Sequence, residues 1–184
     1  MEAELLLWIH GHASPALDAA FVFSWVFGTR RFCVPLVLLA AAWHLGRRQR
    51  REALAWVAVG LAVAVLPELL KAAFARPRPA LWPRLLPTAG YAFPSGHAVA
   101  GAAFFPLLGW LALRGRGLGR FGTLLGALFG VYVGVGRLYL GVHWPSDVLA
   151  GWAIGFLLSL GAIRWLDSPG GLLYSRRSGT SVAT

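Results

Sequence analysis

Long apolar runs, separated by short polar or glycine- and proline-bearing segments, dominate this chain. Five of them, 29–46, 52–74, 98–113, 121–138 and 148–166, are about as long as a membrane-crossing helix, which needs roughly 17–25 apolar residues. The third is the shortest. Residues 1–28 are apolar too, but His10, Gly11, His12, Ser14, Pro15 and Asp18 interrupt them. That stretch reads as one or two short helices lying in the membrane interface, with a sixth span as the alternative. The pattern predicts an all-α integral membrane protein: a bundle of five transmembrane helices, or six, with N-terminal interfacial helices. No repeat of 20–50 residues is visible, so 1–184 is expected to be one membrane-embedded domain. Within it, 1–28 would be interfacial, 29–166 the transmembrane core and 167–184 a cytoplasmic tail.

Composition supports a bilayer as the solvent. The chain is 58% hydrophobic and 13% charged, with a mean hydropathy of +0.64, whereas soluble domains carry about 25% charged residues. Seventeen basic residues against seven acidic ones give a net charge of +10. In a soluble chain that excess would suggest nucleic acid. Here the arginines cluster between apolar runs, which fits membrane topology and no nucleic-acid partner. Arg47, Arg48, Arg50, Arg51, Arg114, Arg116, Arg120, Arg164, Arg176 and Arg177 fall on one side by parity, and the positive-inside rule makes that side cytoplasmic. Lys71, Arg76, Arg78, Arg84 and Arg137 fall on the other, with Arg30 and Arg31 near it. Ten cations inside against seven outside is a weak asymmetry, and it asks what the outer cations do. The opening Met-Glu-Ala-Glu lacks the basic region of a secretory signal. Cys33 is the sole cysteine, which excludes an intramolecular disulfide or a cysteine metal cluster.

Three polar clusters interrupt the apolar background. "KAAFARPRP", Lys71 to Pro79, ends the second run; "PSGH", Pro94 to His97, opens the third; "GRLYLGVHWPSD", Gly136 to Asp147, joins the fourth to the fifth. The first two share one loop, and two crossings separate the second from the third, so all three belong at one membrane face. They would gather three cations (Lys71, Arg78, Arg137), His97, His143, Ser95 and Asp147. Cations converging at a membrane edge are costly unless an anion answers them, and the planar guanidinium fork suits phosphate. Ser95 and Gly96 are placed to open a helix whose free N–H groups favour an anion. His143 and Asp147, four apart, would share a face of one helical turn; Pro145 points instead to a helix start near there, with His143 just before it. Either way Asp147 is close enough to fix the tautomer of an imidazole nucleophile or base. His97 is then the second, acid–base imidazole. Each piece also has a plain reading. A histidine at a helix end is commonly interfacial, a His/Asp pair four apart is often only a local hydrogen bond, and Arg-Pro-Arg-Pro is a stop signal. Glu68 pairs with Lys71 on one helix face, in a structural or a catalytic role. His10, His12 and His44 read as structural; Trp82, Tyr91, Tyr139 and Trp144 read first as interfacial belt aromatics.

Taken together, the three clusters resemble the signature of the type 2 phosphatidic acid phosphatase superfamily. That signature is Lys, six residues, Arg-Pro; then Pro-Ser-Gly-His; then Ser-Arg, five residues, His, three residues, Asp. Lys71 to Arg78-Pro79, Pro94-Ser95-Gly96-His97 and Arg137, His143, Asp147 follow it in order and spacing, over 71–147 by motif and most of the chain by span pattern. The resemblance implies a cofactor-free, metal-independent phosphatase. His143 would attack phosphorus and become a phosphohistidine, with Asp147 orienting it. His97 would protonate the leaving oxygen and then help activate water. Lys71, Arg78, Arg137, Ser95 and the Gly96 amide would hold the phosphate. The substrate implied is a lipid phosphate, undecaprenyl diphosphate by preference, with phosphatidylglycerophosphate, phosphatidic acid or lipid A as alternatives. It would be met at the extracytoplasmic side of the cell (inner) membrane. Vanadium haloperoxidases share the pocket pattern but are soluble. A lipid-phosphate carrier that does not hydrolyse is the reading from another class. One position departs from the pattern: Gly136 stands where the family has serine, and a serine restored there is expected to change the rate about tenfold or less, as for one neutral hydrogen bond.

Overall fold

The computed structural model describes residues 1–168, so Arg176, Arg177 and nearly all of the expected tail lie outside the described residues. The described residues form seven α-helices and no strand: α1 (Glu2–Gly11), α2 (Pro15–Val26), α3 (Arg30–Gly46), α4 (Arg50–Phe74), α5 (Gly96–Leu113), α6 (Gly119–Tyr139) and α7 (Pro145–Asp167). Helices α4, α6, α7 and α5 with the single 3₁₀ turn after it are each long and apolar enough to cross a membrane. Helices α2 and α3 pass the same test only as a pair, bent by 49° at their junction, which makes them a broken fifth span or a re-entrant loop. The protein is thus a multi-pass membrane protein, with four or five spans among the described residues, and residues 1–28 hold two short helices.

Local chemistry sets the ends that matter. Helix α4 stops at Ala75, which takes a left-handed φ of 43°; Pro77 and Pro79 beyond it cannot continue a helix. Helix α5 starts where Ser95 caps it, its Oγ accepting from the Ala98 amide at 3.5 Å. Pro145 occupies the first turn of α7, where its missing N–H costs nothing.

Helix α5 is the hub, with α6 and α7 packed along it. Gly122, Gly126 and Gly130 recur every four residues on α6. A Cβ at Gly122 would run into the Gly109 carbonyl, one at Gly126 into the Phe105 carbonyl, and one at Gly130 would stand 2.7 Å from the Gly101 oxygen. Small residues of this kind let two helix backbones touch inside a bilayer. Trp56, Phe104, Leu107 and Val59 fill the core between α4 and α5. Leu54, Leu61, Leu69, Leu124, Leu128 and Leu157 are all more than half exposed, as side chains facing lipid should be.

The two ends of the bundle differ in chemistry. At one, Arg51 donates to the Trp165 carbonyl (2.6 Å) and Arg114 to Glu52 (2.5 Å). At the other, the end of α4, the starts of α5 and α7, the end of α6, the connecting segment 75–95 and the first two helices converge.

Candidate active site

Three short backbone links assemble this second end. Ser95 N donates to the Asp147 carbonyl (3.0 Å), Ala92 N to the Arg76 carbonyl (2.8 Å), and Val142 N to the Arg137 carbonyl (3.2 Å). The three polar clusters therefore meet at one mouth, as their parity required.

His143 and Asp147 are both buried, with Nδ1 standing 3.6 Å from Oδ2. On the far side of the ring, Arg78 Nη1 lies 3.0 Å from Nε2. A guanidinium can only donate, so Nε2 must hold a lone pair and the neutral ring carries its proton on Nδ1, facing Asp147. Burial pushes the His143 pKa down to about 4, against the opposing pull of Asp147, and Arg78 adds to the fall. The imidazole is neutral near pH 7 and presents a nucleophilic nitrogen towards a cation. Arg78 is further held by the carbonyls of Val142 (2.8 Å), Gly90 (3.0 Å) and Ala89 (3.1 Å). Burial, then Arg84 beside it, lowers its pKa from the usual guanidinium value.

The remaining members surround this pair. His97 sits in the first turn of α5, its ring roughly parallel to Trp25 at 6.4 Å. A Cβ at Gly28 would collide with the His97 ring, so the α2–α3 junction packs directly on it. Lys71 Nζ pairs with Glu68 at 3.0 Å and lies 3.8 Å from where a Cβ on Gly96 would be, beside the opening turn of α5. Glu68 also faces Arg30 at 3.4 Å. Arg137, 1% exposed, has one side-chain partner among the described residues, Ser24, at 3.3 Å from Nη2. Four buried side-chain nitrogens among the described residues have no partner: His97 Nε2, Arg137 Nε, His143 Nδ1 and Trp56 Nε1. Three of the four belong to the motif residues, and unpaired buried polar atoms are rare enough to need a reason. A tetrahedral oxyanion supplies acceptors for the His97 and Arg137 nitrogens, while His143 Nδ1 faces Asp147. Among the described residues no three of His, Cys, Asp and Glu are grouped to hold a metal ion.

Two members were missed in the sequence. Arg76, read only as an outer cation, donates from Nη1 to Asp147 Oδ1 (2.8 Å) and Ser146 Oγ (2.6 Å), and from Nη2 to Glu2 (2.6 Å). Glu2 accepts in turn from the Ser146 amide (2.9 Å) and hydroxyl (2.8 Å). Burial alone would raise the Glu2 carboxyl, but the Ser146 and Arg76 hydrogen bonds outweigh it and hold it below the ordinary carboxylate value. With the Trp144 amide on Oδ2 at 2.7 Å, Asp147 is fixed on both oxygens. Three of the aromatics serve as struts. Tyr139 donates to Asp18 (2.6 Å), Trp144 to the Pro77 carbonyl (3.0 Å), and Trp82 stacks on His10 at 4.1 Å. An open groove of about 530 Å³ borders the site, lined by Arg30, Glu68, Lys71, Ala72, Gly90 and Tyr91 among others.

Membrane helices that bring paired histidines, a buried carboxylate and four arginine or lysine side chains to one mouth define a membrane-embedded phosphate-handling protein. Residues 52–169 match the PAP2 superfamily, and the chain belongs to that family of phosphatases. It is 29% identical over 135 residues to phosphatidylglycerophosphatase B of Bacillus subtilis (strain 168), covering 71% of this chain and 66% of that protein. It is 29% identical over 180 residues to an undecaprenyl-diphosphatase of Sulfolobus acidocaldarius, covering 91% and 79%. The fold matches the crystal structure of a transmembrane PAP2-type phosphatidylglycerolphosphate phosphatase from Bacillus subtilis, with a TM-score of 0.80 at 24% identity over 89% of this chain and 83% of that one. Aquifex aeolicus LpxE aligns with a TM-score of 0.69 at 25% identity, over 89% and 94%.

Proposed function

We propose that the protein is a metal-independent membrane lipid phosphatase that works through a phosphohistidine at His143. The observation that carries this reading is the His143 ring, held neutral between Asp147 and Arg78 with its Nε2 lone pair turned to the guanidinium. An arriving phosphate takes the Arg78 donor onto its own oxygens and leaves Nε2 free to attack. The Nε2–P bond forms as the P–O bond to the lipid breaks, and His97 gives its proton to the leaving oxygen. Asp147 balances the charge that develops on the ring. Water, deprotonated by His97, then attacks phosphorus, releasing inorganic phosphate and restoring His143. Lys71, Arg78, Arg137 and the opening turn of α5, with Ser95 and the Gly96 amide, hold the oxygens while charge accumulates.

Undecaprenyl diphosphate is the preferred substrate. The support is coverage: the Sulfolobus relative and the undecaprenyl-diphosphatase BcrC of Bacillus subtilis, 28% identical, each align with 91% of this chain. Phosphatidylglycerophosphate is the second reading, from the relative and the crystal structure that carry that name. The test is phosphate release by purified protein from undecaprenyl diphosphate, phosphatidylglycerophosphate, phosphatidic acid and lipid A. Activity on undecaprenyl diphosphate should survive a chelator and be inhibited by orthovanadate. Loss with chelator and restoration by magnesium would overturn the mechanism; no release from any lipid would favour a carrier. Catalytic efficiency a hundredfold higher on a glycerophospholipid would reverse the substrate order.

The same reading places the site on the extracytoplasmic face, with Arg47–Arg51 and Arg114–Arg120 inside. Leu85→Cys and Gly115→Cys, each in a Cys33→Ser background, test this, since Leu85 is 56% exposed and a Cβ at Gly115 meets nothing within 4 Å. An impermeant thiol reagent on intact cells should label position 85 and not 115. The reverse pattern would invert the topology.

A further inference from the structure

The departure at Gly136 has a counterpart in another helix. Ser24, on α2, is fully buried in a stretch whose neighbours are Phe21, Val22, Phe23, Trp25 and Val26. Its hydroxyl donates to the Phe21 carbonyl at 2.7 Å and accepts from Arg137 Nη2 at 3.3 Å. A Cβ built on Gly136 would collide with Ser24 Oγ, and would stand 3.2 Å from the Phe21 ring and 3.4 Å from Ser24 Cβ. The space a side chain at 136 would fill is therefore taken by the hydroxyl of residue 24. Ser24 lies outside the family-matched segment 52–169, and nothing in the motif pattern points to it.

We infer that Ser24 is a positioning residue for the Arg137 guanidinium, and that glycine at 136 is what lets its hydroxyl reach there. This rests on the reading that Arg137 holds substrate phosphate. A guanidinium carries five N–H donors. Anchoring Nη2 to a hydroxyl that is itself fixed to a backbone carbonyl restricts the rotation of the fork and leaves the unpaired Nε for the anion. The hydroxyl that the family pattern carries next to the arginine on the same helix is supplied here by α2. Helix α2 is thereby part of the phosphate clamp.

The earlier expectation for Gly136→Ser changes accordingly, because the new side chain would displace an existing hydroxyl rather than add one. Four proteins test the inference: wild type, Ser24→Ala, Gly136→Ser and Ser24→Ala/Gly136→Ser. The measurements are steady-state turnover, direct orthovanadate binding and thermal midpoint in detergent. Ser24→Ala should bind vanadate about tenfold more weakly, as for one hydrogen bond to a charged group, with little change in midpoint. Gly136→Ser should lose more, about a hundredfold, since overpacking adds to the lost contact. The double variant should return to within about threefold of wild type, because removing the Ser24 hydroxyl makes room for the one at 136. Wild-type vanadate affinity in Ser24→Ala, or a double variant no better than Gly136→Ser, would overturn the inference. Wild type that binds vanadate but releases phosphate from no lipid would sink the hydrolytic reading alone, provided Ser24→Ala still weakens that binding.

Discussion

His143→Ala should abolish both turnover and covalent labelling, a loss of about four orders of magnitude or more, the scale for removing a covalent nucleophile. Two buried imidazoles compete for the role, and their surroundings separate them. His143 lies between a carboxylate, 3.6 Å from Nδ1, and a cation, 3.0 Å from Nε2, so its tautomer is set and its free lone pair faces the place an anion would occupy. Among the described residues His97 has no carboxylate partner, and its ring packs against Trp25 and the Gly28 backbone. His97→Ala should cost roughly 10²–10⁴-fold, the range for a general acid, while keeping some phosphoenzyme when the leaving group needs little protonation. The pH profile adds a sign. In the proposed mechanism His143 attacks only when neutral, and burial puts its pKa at about 4. The acid limb of kcat/KM assigned to it should therefore fall well below the ordinary imidazole value of about 6.5. Acid-labile label from a phosphate-labelled substrate, followed by peptide mapping, decides the assignment. Label on His97, or undiminished label in His143→Ala, would reverse the two roles.

Much of this site was legible because its chemistry is local in sequence. Lys71, Arg78, Ser95, His97, Arg137, His143 and Asp147 sit at helix ends, where prolines and a serine cap mark the boundaries, and span parity alone puts those ends on one face. The helix starts at Gly96 and Pro145 followed from the same residues. What could not be read was which side chains from distant segments would complete the contacts. Arg76 and Arg78 are two residues apart in one Arg-Pro-Arg-Pro string, and only the path of the chain after Ala75 decides that the first reaches Asp147 and the second His143. Glu2 and Ser24 sit in stretches whose apolar pattern is broken too early to give a register, and their partners are 144 and 113 residues away. One signal did exist: a glycine where a hydroxyl was expected asks what fills the space, and an apolar helix with one buried serine was a place to look.

Arg76→Ala should lower kcat by about 10²-fold or more and leave KM within about threefold of wild type. Both terminal nitrogens of Arg76 are committed to protein partners, Nη1 to Asp147 and Ser146 and Nη2 to Glu2, so phosphate is not its ligand. Its effect passes through Asp147, which is fully buried. Without Arg76 that carboxylate keeps only the Trp144 amide among its present donors, and a buried charge stripped of its partner is strongly destabilised. Asp147 would then move towards another donor, where it no longer balances the charge that the proposed mechanism forms on His143. Arg78→Ala should behave differently, raising KM and weakening orthovanadate together, because its guanidinium is the one beside Nε2. Arg76→Lys can replace one of the three contacts and should recover only part of the rate. Glu2→Gln, at a partly exposed carboxylate, should cost no more than about threefold, the scale of an exposed ion pair. Steady-state kinetics with vanadate inhibition on the same four proteins separates positioning from binding. An Arg76→Ala variant with wild-type kcat would show that Asp147 needs no such support, and one that lost vanadate affinity as fully as Arg78→Ala would place Arg76 in the phosphate clamp itself.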